Sequence, residues 1–389
     1  MIIEKDLLTA LETLDEGNPY ATFLDQSTLS TVDDEGWIDT GSYILNGIIS
    51  GKLKKGGIPD GRVTYFFGES MVGKSLFVLK ILANAQKKGK VAVIFDTENA
   101  IDKQSADRIG LDASKVKYVP IFNIEQARNS LYKFLTYVKE HKLEGKFIVA
   151  IDSIGNLESQ MEQTRMEKES MSMDMGTRAR AIKSLMRTAT QLSALTKTPI
   201  IISGHVYDNP GELHPSLVKT SPGGKSVLYM PSVSVQMMRK ATKEDVVKSD
   251  DSKLVALQRN YTGAIIRTLT VKNRFIKQYL EGEVYISFAT GVDKYYGLLD
   301  LAVALGIIIQ GGATYTFNGT KLGYAKNFHR NFKFWDDTII PLIEEKIKIE
   351  WAYSSVDNIV PEMGDDIIDT DKENVCEYPS TGAILLHDD

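Results

Sequence analysis

The sequence predicts an α/β fold. A central, mostly parallel sheet is flanked by helices, with a short helical arm before it and a small cap and an acidic tail after it. Three observations predict this. Apolar, β-branched runs alternate with amphipathic stretches between Trp37 and Gly312, the pattern of strand–helix–strand crossovers. A glycine loop stands between one of these runs and the helix after it. Polar groups close several of the runs, which in a parallel sheet collects them along one edge.

Residues 1–36 read as an accessory arm. Leu7, Leu8, Leu11 and Leu14 make a short amphipathic helix ending near Gly17, followed by a Ser-, Thr- and Asp-rich connector from Asp25 to Gly36. Such an arm buries little by itself and is expected to dock on its own domain or on the next copy of the chain. Residues 37–312 form the core. Its strands are expected at Val63–Phe67, Val91–Asp96, Val116–Ile121, Phe147–Asp152 and Ile200–Ser203, with helices following Lys74, Ala100, Ile124 and Thr177. Past Lys225 the pattern shifts to alternation around Val233–Met237, Ile265–Val271 and Glu283–Phe288, which reads as added strands, some antiparallel. Gly297–Leu305 reads as a helix, residues 313–353 as an aromatic-rich cap, and residues 354–389 as a largely disordered tail.

Composition limits the alternatives. The 389 residues are 43% hydrophobic and 25% charged, ordinary for a globular protein of two or three structural units. The single cysteine, Cys376, excludes an internal disulfide and fits a reducing compartment, so a cytoplasmic location is expected. The opening MIIEKDLL lacks a basic lead into an apolar run and does not read as a secretory signal. The longest apolar stretch, Gly297–Gly312, contains Asp300 and is too short to span a membrane. The net charge of −5 is uneven: ten acidic residues and one lysine follow Ser354, leaving the body at about +4. An acidic tail on a mildly basic body is compatible with nucleic acid and can compete with it for basic loops.

The glycine loop carries the chemistry. Gly68-Glu69-Ser70-Met71-Val72-Gly73-Lys74-Ser75 fits the phosphate-loop pattern. Its glycines let backbone N–H groups curl toward a polyphosphate, and the following helix adds its positive dipole end. Lys74 reaches the β- and γ-phosphates, and the Ser75 hydroxyl ligates Mg²⁺. Asp152 ends the run Phe147–Ile151, where it serves as a second Mg²⁺-ordering group or caps the following turn. Glu98, in Asp96-Thr97-Glu98, is placed to orient the water that attacks the γ-phosphate, with Asp96 as the competing candidate. His205 ends the run from Pro199 and faces the same crevice as a γ-phosphate donor, or is structural.

Two long polar segments leave strand ends, from Asn156 to about Arg178 and from Val206 to about Val227. Arg178, Arg180, Lys183 and Arg187 lie on or just beyond the first, and Lys219 and Lys225 sit in the second with Gly223 and Gly224. Cations among glycines suit a phosphate backbone. Lys272 and Arg274 follow an apolar strand and either clamp phosphate oxygens or face solvent.

Together these segments resemble the RecA family of homologous recombinases, most closely its phage UvsX type. The landmarks are WIDTGSYILNGIISGKLKKGGIPDGRV, GESMVGKS, IFDTENAID, FIVAIDSIGNL, IISGH, SPGGKSVLYMPS, VKNR and TGVDKYYGLLDLA, in order between Trp37 and Gly312. His205, where bacterial RecA carries glutamine, and the GLLDLA run point to the UvsX type; the cap does not look like that of bacterial RecA. The resemblance implies a RecA-like ATPase core using ATP and Mg²⁺, assembled as a helical homo-oligomer on single-stranded DNA and pairing it with homologous duplex DNA. Single-strand-binding and mediator proteins are the further partners it implies. It makes Glu98 the catalytic carboxylate, Asp152 the Mg²⁺-associated aspartate and His205 the γ-phosphate sensor. Lys272 and Arg274 become the pair reaching a neighbour's nucleotide. Tyr295 stacks on adenine with Asp102 near the base, while Ser105 replaces a second aromatic. Gly176 and Arg178 fall in the first DNA loop, and Gly223, Gly224 and Lys225 in the second. The rivals are a ring-shaped helicase, which usually carries a further domain, and a non-catalytic ATP-binding accessory paralog. The presence of both Glu98 and Asp152 counts against the paralog.

Overall fold

The computed structural model describes residues 5–27, 29, 31–167, 175–206, 218–219, 223–240 and 263–353. The chain forms two compact units, dividing after Gly297.

The first unit opens with helix α1 (Lys5–Glu12) and a short antiparallel pair, β1 (Trp37–Ile38) and β2 (Ile58–Pro59), bracketing α2 (Tyr43–Ser50). Ser42 caps α2 by accepting from the Leu45 N–H, and every residue of that apolar helix is buried. Leu7, Leu11 and Leu14 of the arm are exposed. The arm is tied to its own core: Arg62 donates to the Leu29 carbonyl at 2.7 Å, and the Lys139 ammonium sits over the Tyr20 ring.

Then come β3 (Val63–Gly68), α3 (Lys74–Lys87), β4 (Val91–Asp96), α4 (Lys103–Ile109), β5 (Val116–Pro120), α5 (Ile124–Glu140) and β6 (Phe147–Asp152). The unit continues through α6 (Gln160–Glu167), α7 (Met175–Thr196), β7 (Ile200–His205), α8 (Lys225–Tyr229), β8 (Val233–Arg239), β9 (Gly263–Asn273), β10 (Glu281–Ser287) and β11 (Gly291–Val292). One nine-stranded sheet runs in the order β11-β10-β9-β8-β3-β7-β6-β4-β5. The six strands from β8 to β5 are parallel, and β9, β10 and β11 pair antiparallel. The central strands are continuous apolar runs because helices cover both faces.

The helices form for local reasons. Asn123 caps α5 by accepting from the Gln126 N–H at 2.8 Å. Ile124, Ala127, Leu131, Leu135 and Val138 recur at helical spacing and are fully buried against Ile182, Leu185, Met186 and Ala189 of α7 and the β-strand side chains beneath. Burial of a side chain such as Leu131 or Leu135 stabilises the fold by roughly 1.5–3 kcal/mol. On α3, Phe77, Val78, Ile81 and Leu82 are equally buried.

The second unit holds α9 (Leu298–Ala304) and an antiparallel sheet, β12 (Ile309–Gly311), β13 (Thr314–Phe317) and β14 (Thr320–Gly323). A helical run follows: α10 (Phe332–Phe334), a π-helical turn Trp335–Ile339 and α11 (Ile340–Glu350). The division falls ahead of α9, whereas the sequence boundary was set at Gly312. Lys346 of α11 donates to the Leu305 carbonyl at the end of α9, which ties that helix to the residues after it. Among the described residues no helix is long and apolar enough to cross a membrane.

Expected strands and helices agree with the structure to within a few residues. The first polar segment differs. It contains α6 and the first turn of α7 instead of an uninterrupted loop. The α6 sequence, QMEQTRME, has no apolar stripe, so periodicity carried no helix signal there. The acidic tail lies outside the described residues.

Candidate nucleotide site and nucleic-acid segments

Strand order builds the site. β3, β7, β6 and β4 are adjacent, and their register aligns Gly68 with His205 and Asp96 with Asp152. The polar strand ends therefore converge on one edge, beside the start of α3.

The phosphate loop is held tightly. Val72 is buried while Met71 projects into solvent. Gly73 caps α3 at φ 83°, and a Cβ there would stand 2.5 Å from Ile286 Cδ1, so both backbone and space require glycine. The Lys74 side chain lies back along the loop, donating to the Gly68 carbonyl at 3.0 Å and the Glu69 carbonyl at 2.6 Å. Burial lowers its pKa, against the opposing charges of Asp152, Glu98 and Glu69.

Asp152 is 6% exposed. It accepts from the Ser203 hydroxyl and from Ser75. Burial raises its pKa, the two hydroxyls oppose that rise, and the charges of Glu98 and Asp96 add to it. The pairing of Ser75 with Asp152 presents hard oxygen donors beside the loop. Among the described residues no group of three or more His, Cys, Asp or Glu could cage a metal alone. That donor pair suits Mg²⁺, which keeps waters and shares its ligands with substrate phosphates.

Glu98 and Asp96 divide the roles that sequence reading left open. Asp96 is 1% exposed. Its Oδ1 accepts from the Glu98 and Asn99 N–H groups, both at 2.9 Å, and its Oδ2 from the Ile101 N–H and the Tyr118 hydroxyl, both at 3.2 Å. It is spent on building the turn that carries Glu98. Glu98 Oε1 accepts from Ser153 Oγ at 2.9 Å, Asn156 Nδ2 at 3.0 Å and His205 Nε2 at 3.2 Å. Partial burial pushes its pKa up, but the His205 and Ser153 hydrogen bonds and the His205 and Lys74 charges outweigh this and leave it lowered. His205 Nδ1 is 3.5 Å from Ser70 Oγ, so the imidazole bridges the phosphate loop and the carboxylate. Ser153 and Asn156 were missed in the sequence. Ser153 directly follows Asp152, which was the one available signal.

The residues expected around the base are locally anchored. Asp102 caps α4, accepting from the Ser105 N–H at 2.6 Å, and that bond lowers its pKa. The Tyr295 N–H donates to Asp293 at 2.9 Å, and its ring meets Tyr43 edge-on at 5.1 Å.

Lys272 and Arg274 lie at the opposite edge of the sheet. Lys272 pairs with Ser234, the Arg274 N–H donates to the Ser232 carbonyl, and the Ser232 N–H donates to that of Val63. Val63 starts β3 and Gly68 ends it, a separation of about 17 Å at ~3.3 Å per residue. The structure thus does not bring this pair to the chain's own phosphate loop. Lys272 donates to the Tyr229 and Pro231 carbonyls. Burial and the like charge of Arg274 lower its pKa to about 8.

In the first polar segment Gly176 stands at the start of α7. Arg178 turns inward to donate to the Gly155 carbonyl, and its buried Nε has no hydrogen-bond partner among the described residues. Arg180, Lys183 and Arg187 are the outward cations, spaced along one face of α7. In the second segment Gly223 has φ 89°, and a Cβ there would lie 2.6 Å from Val227 and 2.8 Å from Ile182. It therefore seats α8 against α7. Gly224 caps α8, and Lys225 is its first residue; the Lys225 side chain lies outside the description. Lys219 pairs with Glu69.

The comparisons agree with this geometry. Residues 17–293 match the family model described as RecA N-terminal domain. Protein RecA of Leifsonia xyli subsp. xyli is 27% identical over 349 residues, covering 89% of this chain and 90% of that protein. Protein RecA of Streptomyces rimosus is 29% identical over 296 residues, 76% of this chain and 73% of the other, and that of Mycobacterium ulcerans is 28% identical over 327 residues, 83% and 87%. The match to the Leifsonia protein, over 89% of this chain, runs past Gly312. With a phosphate loop, an adjoining Asp152 and a Glu98–His205 pair on neighbouring strand ends, and a family match over most of its length, this chain belongs to the RecA family.

Proposed function

We propose that this protein is a DNA-dependent ATPase that uses ATP and Mg²⁺ to form a helical filament on single-stranded DNA and catalyses homologous pairing and strand exchange with duplex DNA. The convergence of Lys74, Ser75, Asp152, Glu98 and His205 on one sheet edge carries the reading. Lys74 neutralises the β- and γ-phosphates, and Ser75 and Asp152 hold the Mg²⁺. Glu98 orients the attacking water, and His205 reports the γ-phosphate to the second polar segment. The placement of Lys272 and Arg274 supports a nucleotide shared between adjacent copies: the pair is remote from its own loop and serves a neighbour's. Tyr295 and Asp102 receive the base. Gly176, Arg178, Gly223, Gly224 and Lys225 belong to the DNA-binding segments, Arg178 by positioning, with Arg180, Lys183 and Arg187 as the outward cations. The exposed leucines of the arm suit docking on the next copy. His205 and the Gly297–Ala302 run support the UvsX type within the family. A cytoplasmic location and single-strand-binding and mediator partners complete the reading.

The deciding experiment measures ATP turnover with and without single-stranded DNA, alongside a pairing assay with homologous duplex. Turnover that rises with the strand, and joint-molecule formation, are expected. DNA-independent turnover with no pairing overturns the proposal, and unwinding without pairing favours a helicase.

A further inference from the structure

Glu69 poses an electrostatic problem. It is the first residue after Gly68 in the phosphate loop, and its charge acts on Lys74, so it also acts on a polyphosphate held by Lys74, and like charges repel. The fold answers with Lys219. Its ammonium pairs with the Glu69 carboxylate, the two side chains being 25% and 51% exposed. Its backbone N–H donates to Gln236 Oε1 at 2.8 Å. Gln236 is fully buried on β8, in register with Phe67 of β3, one residue before Gly68. Lys219 is thus fastened to the strand pair that carries the loop. Glu69 in turn engages two lysines, Lys74 through its carbonyl and Lys219 through its carboxylate.

We infer that Lys219 is a positioning residue for nucleotide binding: it neutralises Glu69 so that the loop accepts a polyphosphate. Because Lys219 precedes Gly223 and Gly224, which the proposed function assigns to DNA binding, the position of Lys219 then sets nucleotide affinity. Whatever draws Lys219 away from Glu69 weakens nucleotide binding, and a bound nucleotide resists that movement by the same factor. The nucleotide effect stands on the geometry alone; its connection to DNA rests on the function proposed above.

The test is a double-mutant cycle on the full chain, titrated with Mg·ATP. Lys219→Ala is expected to weaken binding about five- to tenfold, the size of a charge left unpaired beside a like-charged ligand. The same truncation in a Glu69→Gln background is expected to cost less than about twofold, and the single-variant defect should shrink as salt rises. Lys219→Gln replaces Lys219→Ala if melting curves show that the alanine chain is unfolded. Additive effects of the two substitutions overturn the neutralising role. A second measurement is the factor by which a single-stranded oligonucleotide tightens Mg·ATP binding. It should fall at least about threefold in the Glu69→Gln/Lys219→Ala chain. An unchanged factor overturns the coupling. If the wild-type chain shows no such factor, the DNA-dependent function fails instead, and the affinity cycle still decides the ion pair.

Discussion

At one edge of the parallel sheet, the ends of β3, β7, β6 and β4 bring Gly68, His205, Asp152 and Asp96 into line, and carboxylates, hydroxyls and an imidazole satisfy one another there. At the other edge Lys272 and Arg274 stand together, and the Lys272 ammonium is held by two carbonyls next to a like charge. In the proposed function the first edge holds Mg²⁺ and polarises water, with Lys74 as the cation lying along the loop. The second edge has cations and no phosphate loop of its own. About 17 Å of strand keeps the two apart within one chain. In the proposed filament, one copy's second edge completes the next copy's first.

The comparison is tested most severely at Glu98. Glu98→Gln keeps the shape and removes the charge, and hydrolysis should fall about 10²-fold or more while ATP and DNA binding persist; turnover within a few-fold of wild type would remove Glu98 from the chemistry. Lys272→Ala probes the other edge and should abolish filament turnover. Mixing it with Lys74→Ala should restore part of the activity, because an intact loop can then face an intact pair. Inactivity at every mixing ratio would place both edges' work within one copy.

The pH profile sharpens the same contrast. With a pKa of about 8, Lys272 is charged below that pH and neutral above it, so kcat/KM should decline with an alkaline limb near pH 8. Lys272→Arg should push the limb to higher pH, and an unmoved limb would assign it to another group. Folding moves with the opposite sign. Between about pH 8 and the ordinary lysine range the unfolded chain binds more protons, so Lys272 makes stability rise with pH across that window. The smallest effect is expected where the two polar segments meet. Gly223→Ala should lower stability by about 1–3 kcal/mol in denaturant melts, through its left-handed φ and its approach to Ile182; wild-type stability would mean that α8 does not need that seat.

Much of this was legible in the chain. The central strands are continuous apolar runs bounded by turns, and the phosphate loop is contiguous in sequence, so local pattern located both. The segment that escaped notice is one whose helicity owes nothing to periodicity, α6.

The α/β class, the loop from Gly68 to Ser75 and the set of polar residues at strand ends can be read from the chain, because each is a matter of neighbours along it. Which of those residues meet depends on the folded chain. Asp96 and Glu98 lie two apart, and only the folded turn shows Asp96 consumed by backbone N–H groups while Glu98 faces His205. Arg178 looks like its basic neighbours until the fold turns it toward Gly155. Glu69 and Lys219 are 150 positions apart, and strand order alone makes them partners. Such pairings depend on distances across the sheet, which are set by how nine strands are ordered and which no local pattern records.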